Sequence, residues 1–185
     1  MAFRKLCWAL AAALGLLAGL SPIAAHAQLV IDINKANLQP LPIAIPDLNA
    51  PGGNTVGGDI ARVVSGDLQR SGLFRPLDPK SFVDKITNIN VAPNFANWRV
   101  INAQGLVTGE AALQPDGRLR VAFRLWDVYG QSQMDGQQFY TQPENWRRIA
   151  HMVSDAIYQR ITGETGYFDT RVVFISETGP STNRV

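Results

Sequence analysis

Two periods of apolar residues run through this chain, and they place its elements. Ile60, Val63, Val64 and Leu68 recur three or four positions apart, the spacing of one helix face, with Asp59, Arg62, Asp67 and Arg70 elsewhere on the wheel. Gly72 follows as the residue that ends such a helix. Trp146, Ile149, Ala150, Val153, Ile157 and Ile161 trace a second stripe, which Gly163 closes. Thr141 with Glu144 three residues on predicts a capping box at its start. Between these helices the period drops to two. Leu119, Val121, Phe123 and Leu125 alternate with Arg118, Arg120, Ala122, Arg124 and Trp126, a half-buried strand with one apolar and one largely basic face. Leu106 to Leu113 precedes it across the turn Pro115-Asp116-Gly117, and Ser132 to Tyr140 follows as the third strand of a meander. A shorter helix is expected over 95–103, with Phe95, Trp98 and Val100 or Ile101 facing inward.

The first part of the chain is extended in character. Gln28 to Ile33 is mostly apolar, and a second run spans Leu38 to Ile45 around Pro40 and Pro42. Proline lacks the amide a ladder needs, so these two predict an edge or the start of a strand, with Ile43 to Ile45 as the paired portion. Thr170 to Ile175 reads as one more strand near the C-terminus, as though the chain once continued. The expected fold class is α/β, of α+β-like organisation: a mixed sheet with an antiparallel meander packed against two main helices.

Composition changes this picture at the N-terminus. Arg4 and Lys5 precede an apolar run from Leu6 to Leu20, and Ala25-His26-Ala27 supplies the small-x-small pattern of a signal-peptidase site. Residues 1–27 are therefore expected to leave as a signal peptide, so that the mature protein starts at Gln28 with 158 residues (185 − 27). That length is enough for one domain with its own core. Removing Arg4 and Lys5 leaves 15 basic residues (17 − 2) against 15 acidic, and no basic block remains to favour nucleic acid. Cys7 goes with the signal, which excludes disulfides and thiolate zinc sites from the mature domain. The destination is an aqueous compartment outside the cytoplasm.

Candidate chemistry is sparse. His151 is the one histidine of the mature chain, and Asp155 lies four residues on, but no nucleophile is signalled beside them. Gly52-Gly53-Asn54-Thr55-Val56-Gly57-Gly58 has the glycine spacing of a phosphate loop, yet Asp59-Ile60 stands where lysine and a hydroxyl residue are required. Asn54 or Thr55 is better read as the helix cap. No catalytic residue, cofactor or metal ligand is assigned. The Arg118, Arg120 and Arg124 face with Trp126 is either solvated or a partner contact, and Trp98, Trp126 and Trp146 raise a small-molecule or glycan-binding module as the alternative function.

Four stretches carry a family resemblance: DLQRSGLFRPLDPKSF (67–82), FANWRVINAQGLVTGE (95–110), DGRLRVAFRLWDVYG (116–130) and ENWRRIAHMVSDAIYQRITGETGYFDTRVVFISETGP (144–180). In this order they resemble the N-terminal domain of the TolB family, the periplasmic component of the Tol–Pal cell-envelope system. The resemblance implies a non-enzymatic adaptor supporting outer-membrane integrity and cell division through protein–protein contacts. It also implies an α/β domain over 35–166, with 167–185 as a linker and the opening strand of a β-propeller that is otherwise absent. In the family the propeller binds Pal, so that site is not expected here. The family's first mature residues bind the C-terminal domain of TolA and can pack on the protein or be released. The matching positions are Gln28, Leu29, Val30, Ile31, Asp32 and Ile33, within an N-terminal segment over 28–34. Asn34-Lys35-Ala36-Asn37 stands where the family often has a glycine. Alternating side chains suit strand addition to a partner's sheet edge, with Leu29, Ile31 and Ile33 on one side. A permanent edge strand of the chain's own domain is the other reading of the same run.

Overall fold

The computed structural model describes residues 29, 39–53 and 55–170. Five strands form one mixed sheet: β1 (Leu41–Ala44), β2 (Phe74–Pro76), β3 (Gly105–Leu113), β4 (Leu119–Asp127) and β5 (Ser132–Thr141), in the order β2-β1-β3-β4-β5. β1 pairs in parallel with β2 and β3, whereas β3, β4 and β5 form the antiparallel meander expected from their alternation. Helices α1 (Val56–Arg70) and α3 (Trp146–Thr162) pack against each other on one face, and the short α2 (Phe95–Val100) lies on the other. A mixed sheet carrying a meander against two main helices is the expected fold class.

Each layer forms because an apolar stripe finds a cover. Ile60, Val64 and Leu68 of α1 and Ile149, Val153, Ile157 and Ile161 of α3 are buried against Val107, Val121, Phe123 and Leu125 of the sheet. Full burial of such a side chain is worth about 1.5–3 kcal/mol, so this layer supplies most of the driving force. The opposite face is closed at one end only. There Leu106, Trp126 and Val128 pack with Trp98 of α2, flanked by Phe82 and Phe95, whose rings meet Trp98 and Trp126 at 5.4 and 5.9 Å.

Several local expectations are narrowed or corrected. Of the two places expected for the prolines, the start of a strand is the one found: Pro40 precedes β1 and Pro42 is its second residue, in a strand with neighbours on both sides. The missing amide of Pro42 is harmless because the ladder with β3 starts one residue later, at Ile43 opposite Gly105, while its carbonyl accepts from the Gln104 amide at 2.9 Å. β2 was not expected as a strand. The capping box is not made: Thr141 pairs with Leu119 in the sheet, Pro143–Asn145 form a 3₁₀ turn, and the residue before α3 makes no side-chain cap. Thr55 precedes α1 without a side-chain cap bond. The helix expected over 95–103 ends at Val100, which is 80% exposed, so Ile101 rather than Val100 reaches the core. Gly163 closes α3 in the left-handed region at φ 80°.

Gly57 fixes how the loop after β1 sits on α1. A Cβ there would overlap the Leu48 carbonyl oxygen, a backbone atom that cannot swing aside, and Leu48 is itself buried. Gly57→Ala is therefore expected to destabilise the fold by about 2 kcal/mol through forced backbone displacement. Urea denaturation checks this, with Gly66→Ala, where no atom lies within 4 Å, as the control.

Candidate functional site

The proposed partner segment falls mostly outside the described residues. Gln28, Val30, Ile31, Asp32 and Ile33 lie there, as do residues 171–175 of the expected C-terminal strand. Leu29 is described: it is half-buried and packs against the main core.

The histidine is placed unambiguously. His151 does not pair with Asp155; its Nδ1 lies 2.7 Å from Oδ2 of Asp67, across the α1–α3 contact. The Ser154 hydroxyl donates to the same Oδ2 at 2.9 Å, and the Arg70 guanidinium pairs with Oδ1. Asp67, expected away from the apolar stripe of the helix, is fully buried. This arrangement contains serine, histidine and aspartate but not the relay of a hydrolase. Nucleophilic catalysis needs the imidazole between serine and carboxylate, whereas here both side chains address the carboxylate directly. It clasps two helices.

Asp155 has a different task. Its carboxylate accepts from the amides of Phe168 and Asp169 at 2.7 and 3.0 Å, and Arg148 of the same helix reaches Asp169 at 3.2 Å. Tyr158 packs edge-on against Tyr167 and Phe168 and tilts against Phe74. Burial pushes its phenol above the usual tyrosine range, with Tyr167 and Glu164 adding to the shift. The chain leaving α3 is thereby held on the helix as far as Asp169.

The aromatic platform of a glycan site is not available. Trp98 and Trp126 are core residues, and Trp126 donates to the Thr108 hydroxyl at 3.0 Å. Trp146 is half-buried with the Arg147 guanidinium over its ring. The loop glycines Gly52 and Gly53 turn the chain at positive φ. Asp59 at the helix start is paired with Arg62, an arrangement that offers no cradle to phosphate. Among the described residues no group of three or more His, Cys, Asp or Glu can hold a metal ion, and no helix is long and apolar enough to cross a membrane.

The arginine face divides into three environments. Arg118 pairs with Asp116 at 2.7 Å and lies over the Tyr140 ring. The Arg118 amide, then its side chain, hold the Asp116 carboxyl below the usual range. Arg120 pairs with Glu110 on β3. Arg124 donates to the Phe123 carbonyl at 2.9 Å and has no carboxylate partner among the described residues. Ala122, between them, is covered.

The family model for the TolB amino-terminal domain matches residues 29–134. The chain belongs to the TolB amino-terminal domain family. Among solved structures it is similar to TolB from Acinetobacter baumannii at 32% identity and a TM-score of 0.59, covering 75% of this chain and 32% of that one. The chain thus spans about a third of that relative's length. Similarity extends to the PelC dodecamer from Paraburkholderia phytofirmans, at 14% identity and a TM-score of 0.44 over 68% of this chain and 90% of the other. It also extends to the LpoB C-terminal domain from Salmonella enterica, at 11% and 0.43 over 59% and 87%. Likeness at those two levels carries no functional conclusion. Membership of the TolB family supports, in general terms, a Tol–Pal-related role in a non-enzymatic envelope family.

Proposed function

We propose that this chain is a periplasmic adaptor of the Tol–Pal system, exported by residues 1–27. Its first mature residues, Gln28 to Ile33, capture the C-terminal domain of TolA by adding a strand to its sheet. The domain over 35–166 carries that segment, and residues from 167 onward lead toward the propeller through which a full-length protein would engage Pal. Through these contacts the protein supports outer-membrane integrity and cell division. The observation that carries the reading is the family match, which begins at Leu29 and so takes in nearly all of the proposed strand. The physics is compatible: main-chain bonds of an added strand give affinity, and alternate apolar side chains give selectivity. The described residues place serine, histidine and aspartate in a helix clasp rather than a hydrolytic relay.

Deleting Gln28 to Ile33 from the exported chain is expected to abolish capture of the TolA C-terminal domain on an affinity column. Circular dichroism should be unchanged. The stability loss traceable to Leu29 should stay near 1 kcal/mol, the worth of a half-buried leucine. Undiminished capture by the deletion variant would overturn the proposal.

A further inference from the structure

β5 ends the sheet, and nothing among the described residues pairs with its outer side. Its residues Gly136, Gln137, Gln138 and Tyr140 are exposed. The Gly136 amide donates to the neighbouring Asp135 carboxylate at 2.7 Å. The Val128 amide donates to the Gln104 carbonyl at 2.9 Å, so the even-numbered residues of β4 address β3, and Gly136, the partner of Arg124 in β5, faces away from β4. In an antiparallel ladder, backbone groups two residues apart point the same way. The amides and carbonyls of Gln138 and Tyr140 therefore face outward as well, and they continue the edge beyond the part already satisfied. Such a row is a template for another strand, and this one carries no lysine or proline to blunt it.

The side chains above the edge specify what that strand carries. Arg124 lies opposite Gly136 in the register. A Cβ on Gly136 would stand 2.7 Å from the Arg124 Cδ, 3.2 Å from its Nε and 2.8 Å from the Gln133 Nε2. The missing side chain lets Arg124 and Gln133 lie across the edge strand, so that two N–H-bearing groups from different strands converge above Gly136. Asp116 and Glu110 are already engaged by Arg118 and Arg120, and Asp135 binds the Gly136 amide and the Gln137 side chain. Arg124 is the arginine of this face without a carboxylate partner among the described residues. A guanidinium next to an amide donor is suited to a carboxylate.

We propose that the outer edge of β5 docks an extended acidic segment of a partner protein. Main-chain bonds form to Gln138 and Tyr140, and a glutamate side chain of the added strand meets Arg124 and Gln133 where they lie over Gly136. This site is separate from the TolA reading and stands or falls independently of it.

The test uses the exported chain, isotope-labelled, titrated with the acetylated and amidated peptide Thr-Val-Thr-Glu-Thr-Val-Thr and with its counterpart bearing Gln in place of Glu. Amide resonances of Gln138 and Tyr140 are expected to shift saturably with the Glu peptide. The Gln peptide should bind about tenfold more weakly, the loss of a charge-assisted contact. Arg124→Gln, checked for unchanged dispersion of its spectrum, should equalise the two peptides. No shift at millimolar peptide, shifts centred elsewhere, or equal affinity of the two peptides for the wild-type chain would overturn the proposal. So would concentration-dependent shifts of the same amides without peptide, which would make the occupant a second copy of the chain.

Discussion

Replacing Asp67 with alanine is expected to lower the stability of the fold by about 3 kcal/mol, because it removes the shared acceptor of a buried cluster. Ser154 and His151 both address one oxygen of this fully buried carboxylate, and Arg70 addresses the other. Without it the Ser154 hydroxyl keeps the Ala150 carbonyl at 3.0 Å, but the imidazole loses its partner across the helix pair. Two further variants separate the causes. Arg70→Ala should cost less than about 1 kcal/mol, since that side chain is 71% exposed and an exposed ion pair is worth little. Asp67→Asn should fall between, keeping an acceptor but losing the charge. The midpoints of urea unfolding read all three. If Arg70→Ala proved as damaging as Asp67→Ala, the ion pair rather than the buried acceptor would be the source of the stability.

The other large effect belongs to the sheet. Phe123 is fully buried at the middle of β4, facing both main helices, and stacks on Phe139 of β5 with centroids 6.4 Å apart and planes at 11°. Phe123→Ala is expected to cost about 4 kcal/mol, combining lost transfer energy with a cavity between rigid strands that cannot close. Val100→Ala, on the exposed end of α2, should change stability by less than about 0.5 kcal/mol. The comparison checks that the core lies between the sheet and α1–α3, and thermal unfolding of the two variants suffices to measure it.

Periodicity made α1, α3 and the meander legible because each presents one continuous apolar stripe long enough to set its own phase. It failed where tertiary pairing decides. Phe74–Pro76 is too short to show a period and becomes a strand only because β1 supplies its ladder. Pro40 and Pro42 leave an edge or a strand start open, and only the place where the β3 ladder begins decides for the start. Asp67 reads as a polar residue away from the apolar stripe, yet a signal to the contrary is present. It stands seven residues after Ile60, two full turns along the same face, and Ser154 stands between Ala150 and Ile157 on the stripe of α3. Polar residues on both facing stripes pointed to a bond between the helices. The approach of Arg124 over Gly136 needed the register of β4 against β5, although a glycine inside a strand already hinted at a close contact. Five of the six proposed partner residues, Gln28 and Val30 to Ile33, lie outside the described residues, so that site still rests on its sequence and its family.

The adaptor reading therefore turns on one interaction. Isothermal titration of the exported chain with the purified C-terminal domain of TolA measures it directly, with a synthetic peptide of residues 28–33 as competitor. The account predicts saturable one-to-one binding that excess peptide abolishes. No heat of binding, or binding that the peptide leaves undiminished, would contradict it.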